Sequence, residues 1–179
     1  MSGNAGNLMF EKLKLRSIQK RKEKDLRERD RSQVNASMTT LGFLVDESVV
    51  QDFESLYDFS KEFGLQRKDV KLFSFIEVKR KTPSLRQNQI NNKDFSWKGE
   101  IGNQNAREFL EIPFDVLVCL HAPNNEFIEM MAARSKAKFK VSTTQADDRL
   151  FDLLLGVDPS KLGDLRAELK KYLTILKKI

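Results

Sequence analysis

The chain carries one Cys and one His, and they stand two residues apart, as Cys119 and His121. They fall at the end of the apolar run Phe114-Asp-Val-Leu-Val-Cys-Leu120, which reads as a strand. Residues two apart on a strand face the same side, so a Cys–His dyad is the nucleophile-and-base pair the sequence spells. A buried Cys beside a His at the strand's rim is the commoner arrangement, and no catalytic residue is assigned. One Cys and one His also exclude an internal disulfide and a His/Cys zinc set. Asp147 and Asp148 are adjacent acids that do not converge without further ligands, so they read as a solvated turn and no metal is assigned. The first strand-to-helix turn is Val45-Asp-Glu-Ser48, without a glycine-rich run. Two carboxylates there would repel a phosphate, which removes a dinucleotide fingerprint and a P-loop. No G-x-S-x-G elbow occurs either. No cofactor is expected, and the balance leans away from an enzyme.

The net charge of +6 over 179 residues is unevenly placed. Residues 1–33 carry ten Lys and Arg against five acids, a net of +5, and residues 79–98 carry six against Asp94, again +5. The remainder is therefore at −4. A mildly acidic body with two basic appendages is a statement about partners rather than about fold. The hydrophobic share of 40 % with 13 Phe supports one packed core. No stretch reaches the roughly 18 apolar residues of a membrane span, and the start shows no apolar signal region. A cytoplasmic location, with the option of lying peripheral to the inner membrane, is the expectation.

Positioning these residues requires a reading of elements. Leu8 to Arg31 has no Pro or Gly and is rich in helix formers, so residues 1–36 read as a long basic N-terminal helix able to stand away from the body. Residues 37–179 read as a single α/β domain. Leu41–Val45, Val70–Ile76, Phe114–Leu120, Lys138–Ser142 and Phe151–Leu155 are expected strands. Ser48-Val-Val-Gln51 has capping-box spacing, which predicts a helix from Val49 that Gly64 ends in the left-handed conformation. Helices are also expected over Asn105–Leu110, Glu126–Arg134 and after Asp158-Pro159, with Asp as N-cap and Pro in the first turn. Strands alternating with helices predict a Rossmann-like three-layer fold with a mostly parallel sheet. The polar, basic stretch 77–103 reads as one long loop, unusually long for a compact domain, and is a functional candidate.

Pro83-Ser-Leu-Arg-Gln-Asn-Gln-Ile-Asn91, Lys93-Asp-Phe-Ser-Trp-Lys-Gly99, Pro113-Phe-Asp-Val-Leu117 and Ala133-Arg-Ser-Lys-Ala-Lys-Phe-Lys-Val141 carry a resemblance. They look like a family of small bacterial α/β proteins listed as a domain of unknown function. The resemblance covers nearly the whole chain and implies the same architecture without catalytic residues. A more partial similarity links Phe114–Ser142 to the acceptor half of heptosyltransferase-type glycosyltransferases. Its second, donor-binding domain has no room in 179 residues, so a degenerate or ligand-sensing relative is what that similarity implies.

In open parallel sheets ligands bind beyond the carboxyl ends of the strands, where strand order reverses. In a flavodoxin-like order that crevice lies between the first strand and the one ending at Leu120. It would receive Asp46, Glu47 and Ser48 from one side, His121, Ala122, Asn124 and Asn125 from the other, and Ser142, Thr143 and Thr144 from the next strand. The basic stretch starts on the same rim, so Arg86, Lys93, Trp97 and Lys98 could overhang it and suit an anionic or aromatic ligand. The plainer reading is a segment covering the sheet edge with Phe95 and Trp97 packed inward.

Three readings compete for residues 8–33. A solvated charged helix or tail is the plainest. The second is ribosome or RNA binding through the phosphate backbone. The third is an anionic membrane surface, with Leu8, Met9, Phe10, Leu13 and Ile18 inserting. A protein partner is open as well. The contacts to an anionic partner would be Lys12, Lys14, Arg16, Lys20, Arg21, Lys22, Lys24 and Arg27. The leading expectation is a non-enzymatic binding or adaptor protein. The alternative is a protein binding a small ligand or nucleotide-sugar at Asp46, Ser48, Arg86, Trp97, His121 and Asn124.

Overall fold

The computed structural model describes residues 3–80, 85–143 and 145–179. Thr144 of the expected rim, and Lys81 and the Pro83-Ser84 start of the first quoted run, lie outside them. Among the described residues six strands form one wholly parallel sheet: β1 (Leu41–Asp46), β2 (Val70–Ile76), β3 (Gln89–Asn91), β4 (Val116–Leu120), β5 (Phe139–Thr143) and β6 (Leu153–Leu155). Their spatial order is β3-β2-β1-β4-β5-β6, so strand order reverses between β1 and β4. The central strands β1, β4 and β5 are buried along their whole length. β1 and β4 read as largely apolar runs because helices cover both faces, whereas β5 (Phe-Lys-Val-Ser-Thr) is buried although Lys140, Ser142 and Thr143 are polar. The Rossmann-like three-layer α/β fold is the architecture the strand–helix alternation predicts.

One face packs Leu41, Phe43 and Val45 of β1 against α2 (Phe53–Tyr57), α3 (Phe59–Glu62) and α6 (Leu162–Ile175), through Leu56, Phe59, Leu165, Leu169 and Leu173. The other packs Leu44, Phe73, Phe75, Leu117 and Cys119 under α4 (Gln104–Glu111) and α5 (Glu126–Arg134), joined by Ile18 of α1 (Gly3–Glu28). Gly42 lies on this second face because a Cβ there would come within 2.8 Å of the Phe114 ring.

Four expectations are corrected. First, α1 does not stand away from the body over its whole length: it packs along α5, with Ile18 fully buried. Second, the helix expected from Val49 starts at Phe53. Asp46 Oδ1 takes both the Ser48 backbone N–H (2.9 Å) and its hydroxyl (2.7 Å), and Asp52 is the cap, accepting from Ser55 N at 3.1 Å. Gly64 does end that segment at φ 68°. Third, the last helix starts at Leu162, because Asp158 Oδ1 folds a turn onto Ser160 instead of capping a helix.

Fourth, the 77–103 stretch is not a loop throughout. It contains β3, a 3-10 turn over Asn92–Asp94 and a bridge from Phe95 to Ile101, with Ile90, Phe95 and Ile101 buried. The strand Gln-Ile-Asn has no sequence signature, being polar and three residues long. Side-chain bonds hold its ends: Gln89 Nε2 donates to Glu47 Oε1 (2.6 Å), and Asn91 N donates to Asp94 Oδ2 (2.9 Å).

Candidate functional site

The order reversal opens a crevice of about 700 Å³ at the carboxyl ends of β1 and β4. Asp46, Glu47, Ser48 and Gln51 come from the β1 turn, Phe75 to Glu77 from the end of β2, and Ala122 to Phe127 from the β4 turn. Leu15 of α1 closes one side. The two turns are tied together, since Asn125 Nδ2 donates to Asp46 Oδ2 (2.8 Å) while Asn125 Oδ1 caps α5 by accepting from Ile128 N (3.1 Å). Asn124 turns the chain into that cap at φ 60°, a conformation Asn tolerates better than most side chains. Four carboxylates and no cation line the crevice among the described residues. Glu47 is paired with Arg86 and Glu126 lies 3.7 Å from Lys22, both cations standing behind the lining. Asp46 and Glu77 are therefore the carboxylates of this wall without an ion pair among the described residues, and they favour a cationic or hydrogen-bond-donating group over a phosphate. The carboxylates do not converge: no group of three or more His, Cys, Asp or Glu able to hold a metal ion exists among the described residues.

A second crevice, about 530 Å³, adjoins the first and shares Ser48, Ala122 and Pro123 with it. His121 and Thr143 border it, opposite Val157 to Ser160. His121 is buried, its Nδ1 lies 2.8 Å from the Ala122 carbonyl, and its Nε2 has no hydrogen-bond partner among the described residues. Burial pushes the Cys119 thiol up to about 12, so the thiolate a nucleophile requires is not present at neutral pH. No hydrogen bond joins this thiol to the His121 ring among the described residues.

The structure therefore brings Asp46, Ser48 and Asn124 to one crevice and places His121 at the next. It does not bring Arg86 or Trp97 to either. Arg86 bonds Glu47 from outside and lies over the Phe53 ring at 5.1 Å. The same Glu47 oxygen, Oε1, also accepts from Ser74 Oγ and Gln89 Nε2. Phe95 packs inward, while Trp97 is exposed with Lys98 beside its ring at 5.2 Å. The reason is local: Gly99, at φ 73°, sits so close to α1 that an added Cβ would lie 3.1 Å from the Ser17 and Ile18 backbone. The segment turns there and leaves Trp97 on the surface flanking the helix. Leu15, Glu77 and Phe127 are not among the expected crevice residues, because nothing in their local sequence shows that the middle of α1 passes the end of β2 and the start of α5 there.

The basic helix divides by side. Lys14, Ile18, Lys22, Leu26 and Arg29 recur at helical spacing and face the body. Lys14 Nζ donates to the Asn92 carbonyl (2.5 Å). Lys22 Nζ sits 2.8 Å from Glu129, 3.4 Å from Asp147 and 3.7 Å from Glu126. Burial works against that charge, yet the three carboxylates outweigh it and raise its pKa. Arg29 forks onto Asp152 at 3.1 and 2.5 Å and also donates to the Lys138 and Leu150 carbonyls. Arg21 pairs with Glu100 at 3.1 Å. Of the eight expected contacts to an anionic partner, Lys14, Arg21 and Lys22 are thus engaged with the body. Lys12, Arg16, Lys20, Lys24 and Arg27 are exposed, and only Lys24 has an ion-pair partner among the described residues, Glu28 at 3.9 Å.

No helix among the described residues is long and apolar enough to cross a membrane. Neither the curated proteins nor the solved structures contain a match to this chain. The family model that does match covers residues 14–176, from the buried Lys14 to the end of α6, and the chain accordingly belongs to the family of unknown function DUF6913.

Proposed function

We propose that this is a binding protein that docks on an anionic macromolecular surface through the outward side of α1. One observation carries the reading. The five cations Lys12, Arg16, Lys20, Lys24 and Arg27 project away from the body on a helix whose opposite side is fixed by Ile18 and Lys22, with Arg29 anchored just past its end. A rigid row of charges keeps its spacing and loses little conformational entropy on binding, which a free tail would not. The inward cations contribute nothing to this surface, because their field is cancelled within the fold. The test is co-sedimentation of the full chain with ribosomes and with anionic vesicles. Replacing Lys12, Arg16 and Lys20 by Gln should weaken binding and flatten its dependence on salt, with the melting temperature unchanged. Unaltered binding by the triple variant removes the reading.

A small ligand at the carboxyl-end crevice is the second reading, and the acidic lining favours it for a particular chemistry. Asp46 and Glu77, which have no ion pair among the described residues, suit an amine or polyol and argue against a nucleotide-sugar, whose phosphates they would repel. It requires that a polyamine or sugar alcohol raise the melting temperature of the protein, and that Asp46→Asn diminish the rise.

A further inference from the structure

The first turns of α1 pose a question the basic row does not answer. Leu8, Met9, Phe10 and Leu13 are 62, 65, 49 and 47 % exposed, although nearly every other large apolar side chain on the helix is covered. They lie where α1 runs past the body, since every described residue from Ala5 to Leu13 is exposed. Taking the exposed parts of these four side chains out of water is favourable, so a partner that accepts them gains more than one that meets the cations alone. Met9, Leu13, Arg16 and Lys20 follow one another at four, three and four residues, which places them on one side of the helix. The apolar tip and the basic row are therefore continuous, in that order, along the outward side.

Trp97 extends the same surface. It is 54 % exposed, with Lys98 beside its ring. Gly99 seats this turn against Ser17 and Ile18, one helical turn after Leu13. A tryptophan with a lysine neighbour at the edge of an apolar patch matches the interfacial region of a bilayer, which takes an apolar ring body and a polar N–H together. Nucleic acid fits less well. Phe10 and Trp97 are rings on which bases can stack, but phosphate contacts and stacking still leave the aliphatic Leu8, Met9 and Leu13 without a partner.

We infer that the anionic surface is a lipid bilayer, met by the apolar tip of α1 and Trp97, with Lys12, Arg16, Lys20 and Lys98 at the head groups. The inference rests on the docking reading above and narrows it to one partner. Charge complementarity selects the occupant: apart from Glu11 and from Glu100, which pairs with Arg21 at 3.1 Å, the patch is cationic and apolar at once, the combination that anionic lipid accepts. The helix does not cross the membrane. It lies on it, tethered to the folded body by Ile18, Lys22 and Arg29.

Trp97 is the only tryptophan of the chain, so its emission reports the contact directly. The full chain is titrated with vesicles of phosphatidylcholine alone and of phosphatidylcholine mixed with phosphatidylglycerol. The mixed vesicles should shift the Trp97 emission to the blue, and lipids brominated on the acyl chain should quench it; the neutral vesicles should do neither. Phe10→Asp with Leu13→Asp should weaken binding at least about tenfold, and Arg16→Gln or Lys20→Gln about fivefold each. All four positions are exposed, and circular dichroism checks the fold; Leu13→Gln serves should the double aspartate variant not fold. Sedimentation with mixed vesicles without a blue shift overturns insertion while keeping the docking reading. Binding to ribosomes and not to vesicles overturns the bilayer in the same way. Binding to neither overturns both.

Discussion

Lys20 and Lys22 sit two residues apart on α1, yet Lys22 is sealed among Glu126, Glu129 and Asp147 while Lys20 stands in solvent. The same contrast separates Ile18, fully buried, from Leu13, about half exposed. Composition cannot distinguish the members of either pair. Their phase on the helix relative to α5 can, and it turns one basic segment into two surfaces. The inward side is a structural seam, where paired charges and one isoleucine hold the helix down. The outward side has no such role in the fold and is free to act on something else. Net charge counts both sides alike, so it overstates what is available to a partner.

The contrast can be broken most directly at the seam. Arg29→Ala should cost about 3–5 kcal/mol, the range for leaving a buried carboxylate such as Asp152 without its partner. Ile18→Ala should follow at about 2–5 kcal/mol, whereas Leu13→Ala should stay within about 0.5 kcal/mol. Urea unfolding of the three variants checks the order. Equal losses at Ile18 and Leu13 would mean that the two sides of α1 are not different in kind.

A smaller effect tests how well the seam excludes water. Lys140 on β5 is fully buried near Arg29 and Asp25 of the basic segment, its ammonium donating to the Ala133 carbonyl at 3.2 Å. Burial, helped by the Arg29 charge, pushes it down to about 7. The unfolded chain then holds one more proton above that pH, so stability should rise as pH increases from about 7. The rise should end near pH 9, where the unfolded chain begins to lose the Cys119 proton that the fold retains to about 12. Over that window the gain is about 1–3 kcal/mol. Lys140→Met should remove the slope and stabilise the protein at neutral pH. Chemical denaturation at a series of pH values measures both, and an unchanged slope would mean that water reaches the ammonium beneath α1.

Much of the fold was readable because it depends on local pattern. The runs at Leu41–Val45, Val70–Ile76 and Phe114–Leu120 are strands, Glu126–Arg134 is a helix, and Gly64 adopts the left-handed stop. Boundaries slipped where a side chain had two uses. Ser48 and Asp158 look like helix caps, and each is spent on a local turn instead. The strand β3 escaped notice because its pairing with β2 is held by Gln89 reaching Glu47 across 42 positions of sequence. The candidate site was legible to the same degree. Asp46, Ser48 and Asn124 follow from strand ends and the order reversal, while Arg86 and Trp97 depend on how a 27-residue connection between two elements is folded back.

By itself the sequence determined a parallel sheet with two covered faces, an acidic first turn unsuited to phosphate, and a helical basic segment. These follow from periodicity and charge, which act over a few neighbouring residues. Which lysines are neutralised, which apolar side chains are left outside and where Trp97 stands were decided only by tertiary structure. Each depends on the angle at which α1 settles on α5, and that angle is set by contacts such as Arg29 with Asp152 and Gly99 with Ser17. Those partners are distant along the chain, so no local window of residues contains both.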